Sequence, residues 1–385
     1  MAGKRVIILS CSTGGGHHAA ARALEETLNT MGYEAKALDM MALATKRRAK
    51  IVGGIYVGIV KYIPVLFRIG YFLGSKLTSH RIWSPVYWLN SRMAPYVAQY
   101  LEKHPCDAVL TTHLYCAETL THMKRKQMLQ QPFLFVATDY TCIPFFEETR
   151  ADYYVIAQEE LRDECVHRGV PNEKIYSCGI PTGLAFSKAD SMTAARKRLK
   201  LPAEGIQYLV MAGSMGFGKV PLFAHELVER VGTEDTVVII CGNNKRMKRI
   251  LEKEMKRKDH VYVIGYTRQV ADYMMASNVV FTKPGGLTTT EAAVRNVPLV
   301  HTDPIPGCVN CNMEFFQARG MSLGSSRMRT QIAQGIMLAH DEEMASVMKK
   351  AQRNYIHPDA AKQIVDLVEQ AIRETACAKV QQNGD

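Results

Sequence analysis

The sequence predicts an α/β chain of two parallel sheets, each covered by helices on both faces. Three observations predict it. Short apolar runs alternate with stretches of helical spacing along most of the 385 residues, the pattern of strands joined by crossover helices. The runs are nearly continuous in apolar character, as strands buried on both faces are. Each half of the chain also opens with a strand, a glycine loop and a helix. Two Rossmann-like domains facing one another across a cleft are therefore expected.

In order, Lys4–Cys11 (KRVIILSC) reads as a buried strand closed by glycines, and His17–Met31 as a helix with Ala20, Leu24 and Leu28 on one face. Tyr33–Leu38, Asp107–Thr111, Phe133–Thr138 and Tyr153–Ile156 read as further strands. The second half repeats the style with Gln207–Ala212, Thr236–Cys241, His260–Ile264 and Asn278–Thr282. Glycine, proline and small polar residues break the periodicity over Cys178–Thr193, which marks the seam. The expected divisions are 1–185, 186–355, a C-terminal helix over 356–378 that packs back on the first domain, and a disordered tail over 379–385. Within that helix Ile364–Glu374 is amphipathic.

A composition of 47% hydrophobic and 22% charged residues excludes a disordered chain, and the 27 glycines and 15 prolines follow no collagen-like period. Cysteines such as Cys11, Cys106, Cys178 and Cys241 stand singly within apolar elements, as reduced thiols do. The first residues, MAGKRVIILSCSTGGGHH, do not read as a signal peptide, so a cytoplasmic location is expected.

The net charge of +11 is unevenly spread. From Met40 to Leu101 there is no Asp or Glu, where average usage would place about six. The same window holds nine Lys and Arg, among them Lys61 and Arg68. Charge of that kind suits nucleic acid, an anionic membrane or an acidic substrate. Ile51–Gly74 is apolar and aromatic, but Lys61, Pro64 and Arg68 interrupt it too often for a spanning helix. An element lying in the membrane interface fits better, with Trp83, Tyr87 and Trp88 just beyond it. A long buried segment also lacks acids and stays open as a reading. Long aliphatic runs track phosphates poorly, so nucleic acid is not expected.

Three glycine elements carry the chemistry. In the first, Thr13 to Ala19, glycines open a helix whose positive end favours anions. Gly14, Gly16 and Ala19 satisfy a dinucleotide fingerprint with Asp39 near the end of the next strand, so an NAD-dependent oxidoreductase is a rival reading. His17 fits that rival poorly. An imidazole titrating near neutrality suits a general base, and a helix cap is the other reading. The second element, Ala212 to Lys219, nearly matches a phosphate-binding loop, but Val220 stands where a hydroxyl must hold magnesium. It remains an anion cradle. In the third, Lys283 to Glu291, Gly285 and Gly286 open a helix with Thr288 as cap. Glu291 either bridges two vicinal hydroxyls, such as those of a ribose, or stabilises its own helix. Two cradles and a diol acceptor favour a nucleotide diphosphate. No D-x-D motif is present, and a single Cys308-x-x-Cys311 is weak support for zinc.

Taken together, TGGGHHAAARAL (Thr13–Leu24), TDY (Thr138–Tyr140), AGSMGFGK (Ala212–Lys219), KPGGLTTTEA (Lys283–Ala292) and PIPGCVNCN (Pro304–Asn312) resemble the monogalactosyldiacylglycerol synthases and the bacterial processive diacylglycerol glucosyltransferases. More distantly they resemble the N-acetylglucosaminyltransferase that completes lipid II. The resemblance spans nearly the whole chain. It implies a GT-B fold, with the lipid acceptor and membrane on the first domain and the UDP-sugar on the second. It implies metal-independent inversion, with no cofactor beyond the donor substrate. By position, His17 matches the general base, with Gly15 and Gly16 before it. Asp139 is the candidate to orient His17, and His113 is an acceptor-side candidate. Gly213, Ser214, Met215 and Gly216 match the diphosphate loop; Gly285, Gly286, Leu287 and Thr288 match the second cradle; Glu291 matches the ribose carboxylate. Tyr266 and Thr267 match the uracil segment, and Asn312 the retained part of the donor-sugar loop. Lys61, Arg68, Trp83 and Trp88 are the expected membrane-facing side chains. Two departures stand out. Cys308 and Val309 replace a Gln-Glu pair, and Ile143 and Phe146 replace a His and a Trp after the TD motif. The expected function is a glycosyltransferase attached peripherally to the inner face of the cell membrane, moving a hexose from a UDP-sugar to a lipid hydroxyl. A membrane protein that senses UDP-sugar without catalysis is the third reading.

Overall fold

A computed structural model of the chain describes residues 3–11, 15–45, 83–213, 219–302 and 308–382. The chain divides into two compact units, Met1–Gly183 with Asp359–Asp385, and Leu184–Pro358.

The first stretch runs β1 (Arg5–Ser10), α1 (Gly15–Thr30), β2 (Glu34–Asp39), α2 (Pro85–Ser91), α3 (Ala94–Lys103), β3 (Ala108–Thr111), α4 (Leu114–Arg125), β4 (Phe133–Val136), β5 (Tyr153–Val155), α5 (Arg162–His167) and β6 (Ile175–Tyr176). The second runs α6 (Leu184–Ser187), α7 (Met192–Leu199), β7 (Gln207–Met211), α8 (Val220–Val228), β8 (Thr236–Ile240), α9 (Lys245–Glu254), β9 (Val261–Ile264), α10 (Val270–Ala276), β10 (Val279–Thr282), α11 (Gly286–Val294), β11 (Leu299–His301), α12 (Cys308–Ala318), β12 (Leu323–Gly324), α13 (Met328–His340) and α14 (Glu342–Tyr355). The chain closes with α15 (Ala360–Gln382).

Each unit holds one six-stranded sheet, ordered β2-β1-β3-β4-β5-β6 and β12-β11-β10-β7-β8-β9. Every pairing is parallel, as strands joined by crossover helices must be. Counted from β7, the second sheet reads 3-2-1-4-5-6, the doubly wound order. In both sheets the winding reverses beside the unit's opening strand, between β1 and β3 and between β7 and β10. Crevices for ligands form at the carboxyl ends of such strand pairs.

The cores follow the apolar runs. Val6, Ile8, Leu110, Leu134, Val136 and Val155 of the first sheet pack under Ala21, Leu24 and Leu28 of α1. The same cluster takes Ile364, Val365, Val368 and Ala371 of α15, spaced three and four apart. Lys4, Tyr33 and Arg373 surround the Glu369 carboxylate on this helix and hold it down at about 2. The helix also runs further than the sequence reading allowed. Ala, Lys, Val and Gln continue it to Gln382 where a tail was expected from 379, because no helix breaker stands before Gly384. In the second unit the basic run after Asn244 lies along α9 and beyond it, with Lys248 paired to Glu252 and Lys258 to Glu229. Among the described residues no helix is long and apolar enough to cross a membrane.

Candidate active site

In the first unit the loops at the strand reversal bring together residues far apart in sequence. Leu9 of β1 is level with Thr111 of β3, and Thr111 with Phe135 of β4. Gly15 and Gly16 therefore start α1 beside the ends of β3 and β4, and His17 follows on the first turn. Its Nδ1 lies 2.9 Å from the Thr112 carbonyl oxygen and 2.8 Å from Thr138 Oγ1. The Thr112 hydroxyl returns a bond to the His17 carbonyl at 2.8 Å. Asp139, the residue that chemistry alone favours as a partner, makes no hydrogen bond to His17; Thr112 and Thr138 orient the ring instead. Both threonines were missed as His17 partners, although Thr138 lies inside the TDY motif. Asp39 accepts the Met41 amide at 3.0 Å, and the dinucleotide reading finds no support beyond its glycine spacing.

His113 is buried and caps α4, its Nδ1 accepting the Tyr115 amide at 3.1 Å. Its ring meets His17 edge-on with centroids 4.6 Å apart. Burial, with His17 beside it, pushes its pKa well below the usual imidazole range. His113 is thus a neutral wall against His17 and not a second base. Trp83 is half-buried, 4.0 Å from the Tyr87 ring and 4.3 Å from the Arg125 guanidinium. Trp88, by contrast, is 53% exposed. The segment that carries both is fixed by Ser84, whose hydroxyl donates to Glu148 at 2.7 Å, and by the Asn90 amide on Glu118. Lys61 and Arg68 lie outside the described residues.

The second unit repeats the arrangement. Met211 of β7 pairs with Thr282 of β10, so the loops that follow both strands share one strand-end crevice. Gly213 has a φ of +70°, and an added Cβ there would meet nothing within 4 Å, so backbone conformation alone demands glycine. Ser214, Met215 and Gly216 lie outside the described residues. After β10, the cap of α11 is Gly285 and not Thr288, with no side chain bonded to the first-turn amides. Pro284 and the two glycines turn the chain three residues earlier than the threonine run suggested. Gly286 and Leu287 are buried and Thr288 half-buried. The amides of an uncapped helix start remain donors for an anion.

Glu291 stands two turns into α11, too deep for the capping role that was its alternative reading. Its carboxyl has no hydrogen-bond partner among the described residues, and burial pushes its pKa up to about 8. Asn312 is 0% exposed and donates to the Pro284 carbonyl at 3.1 Å. It braces the cradle from behind, whereas the sequence reading placed it against the donor sugar. Tyr266, 57% exposed, and Thr267 follow β9, and the Thr267 hydroxyl accepts the Gln269 amide at 3.0 Å. His301, not foreseen, is fully buried between Thr289 and Ser322 and pins α11 to the end of β11. Cys308 and Val309 open α12, and no cluster of metal-binding side chains occurs among the described residues.

Residues 17–182, from His17 to the end of the first unit's opening segment, match the family described as monogalactosyldiacylglycerol (MGDG) synthase. A processive diacylglycerol beta-glucosyltransferase of Staphylococcus carnosus is 26% identical over 355 residues, covering 91% of this chain and 88% of its own. Among solved structures, MurG of Acinetobacter baumannii has a TM-score of 0.60 at 13% identity, over 95% of this chain and 99% of its own. The S. aureus MnaA-UDP co-structure has a TM-score of 0.61 at 13% identity, over 96% and 97%. These likenesses give the fold, GT-B. Residues 17–182 are an MGDG synthase domain, and along most of its length the chain is a homologue of the processive diacylglycerol beta-glucosyltransferases.

Proposed function

We propose that the protein is a UDP-sugar-dependent glycosyltransferase. It moves a hexose, with inversion, to the hydroxyl of a diacylglycerol-type lipid at the inner face of the cell membrane. The observation that carries the reading is the full-length homology to a named diacylglycerol glucosyltransferase, which covers both units together. The geometry supplies the chemistry. The donor's diphosphate sits on the amides that open α11 and on the Gly213 loop. Glu291 takes the ribose hydroxyls, and Tyr266 and Thr267 border the uracil. The lipid hydroxyl oxygen attacks the anomeric carbon, the bond from that carbon to the diphosphate breaks, UDP leaves with the electron pair, and His17 takes the hydroxyl proton. Charge growing on the diphosphate falls on fixed backbone dipoles, so no metal is needed. The exposed indole of Trp88 and the acid-free segment before it attach the enzyme to anionic lipid, without a spanning helix.

The test is direct. The protein is incubated with UDP-glucose or UDP-galactose and vesicles of diacylglycerol in anionic phospholipid, with and without EDTA, and lipid masses are read. A diacylglycerol heavier by one hexose, formed equally with EDTA, is expected. UDP-sugar binding with no lipid gaining mass overturns the enzyme reading in favour of a sensor. Abolition by EDTA overturns metal independence.

A further inference from the structure

The bonds around His17 decide which of its nitrogens carries the proton. Nδ1 faces the Thr112 carbonyl oxygen at 2.9 Å. A carbonyl oxygen only accepts, so a bare lone pair on Nδ1 at that distance would face another lone pair. The proton must sit on Nδ1. Thr138 Oγ1, 2.8 Å from the same nitrogen, then accepts the other share of a three-centre bond. Nε2 is left with its lone pair, and that nitrogen is the base. The Thr112 hydroxyl holds the His17 carbonyl at 2.8 Å, so ring and backbone are fixed to one residue. The titratable side chain packed on the ring is His113, whose Nδ1 already accepts the Tyr115 amide. It is neutral and brings no competing charge.

Resting on the transferase reading, we infer that Thr138 is a positioning residue. With the Thr112 carbonyl, its hydroxyl oxygen locks His17 in the Nδ1–H tautomer and presents Nε2 to the acceptor hydroxyl. The second bond of an imidazole commonly sets the tautomer in this way. The opposite arrangement, with the Thr138 hydroxyl donating to Nδ1, would put the proton on Nε2 and leave His17 unable to act as a base.

The experiment uses full-length protein labelled with 15N-histidine, with His17→Gln to assign the signal, and compares wild type, Thr138→Val and Thr138→Ser. Two-bond nitrogen–proton correlations should show Nδ1–H in the wild type and in T138S, with Nε2–H gaining share in T138V. T138V should lose about tenfold or more in kcat, part of the roughly 10²–10⁴-fold a placed base supplies. Its KM for UDP-glucose should stay unchanged. Losing an acceptor destabilises the imidazolium, so the acid limb of kcat should move to lower pH in T138V and return in T138S. An Nε2–H signal in the wild type overturns the inference, and that spectrum decides it even where T138V fails to fold. Equal tautomers and equal pH profiles in wild type and T138V also overturn it. A protein showing the expected tautomers but transferring no sugar overturns the transferase reading and leaves the proton's placement standing.

Discussion

Glu291 makes donor binding depend on pH in a calculable way. Its carboxyl is raised to about 8 by burial, with no partner among the described residues to offset the loss of water. At that value about 1% of the protein is ionised at pH 6 and about half at pH 8. A carboxylate that accepts both hydroxyls of a vicinal diol binds in its ionised form, so apparent affinity for UDP-glucose should rise about 50-fold from pH 6 to pH 8. UDP-glucose is the ligand of choice because its diphosphate does not titrate in this range. Calorimetry at about pH 7 in two buffers of different ionisation heat should show close to one proton released per donor bound. Glu291→Gln should bind weakly with no such slope. The same shift bears on stability with a defined sign. The folded state holds a proton that the unfolded state releases between 4.5 and about 8, so stability falls as pH rises through that window. The neutral variant escapes the loss and should melt higher than wild type above about pH 8. Flat affinity from pH 6 to pH 8, or an identical slope in Glu291→Gln, refutes the reasoning.

His17→Ala should lower sugar transfer by about 10²–10⁴-fold while UDP-glucose affinity stays within twofold; equal turnover by the variant removes His17 from the base role. Gly335→Ala should cost roughly 1–3 kcal/mol of stability or more, read as a lower Tm, because the new Cβ on α13 would lie 2.0 Å from Cζ of the buried Phe281 ring. An unchanged melt would mean that ring has room to move. Trp88→Ala should weaken binding to anionic vesicles by roughly 1–2 kcal/mol, about 5- to 30-fold, and leave transfer to detergent-dispersed diacylglycerol intact. Equal sedimentation with vesicles would take Trp88 out of the interface.

How much of the fold could be read in advance depended on burial. Strands such as β1, β4, β7 and β8 lie inside their sheets or against a covered neighbour, so their residues are almost all apolar and the runs stand out. Ile175–Tyr176, Leu299–His301 and Leu323–Gly324 gave no such signal. Two or three residues toward a sheet edge are too few for either periodicity to show. The end of α15 was misplaced for a related reason. Its last turns are exposed, so no apolar stripe marked them, and intrinsic helix preference alone carries the backbone to Gln382.

The site was legible where backbone chemistry selects the residue and illegible where strand adjacency does. Gly213 and the Gly285–Gly286 pair are visible because no other residue suits a positive φ or an open helix start. Glu291 is visible because an acid two turns beyond such a start has few other uses. The surroundings of His17 were not visible. Its two partners lie 95 and 121 residues away and meet it only because β1, β3 and β4 are neighbours. Residue type pointed to Asp139, since a carboxylate is the stronger partner for an imidazole. What decides the contact is which residue leaves the end of β4 facing α1, and that is Thr138. A hydroxyl and a carbonyl also suit the task better than a carboxylate does if donor affinity and base strength are set separately. They fix the tautomer without adding a negative charge close to a site that must receive a diphosphate. The substitution that separates these ideas is Thr138→Asp. A bound anion would strengthen His17 as a base yet should weaken donor binding, and a variant that gains in both would refute the electrostatic half of the argument.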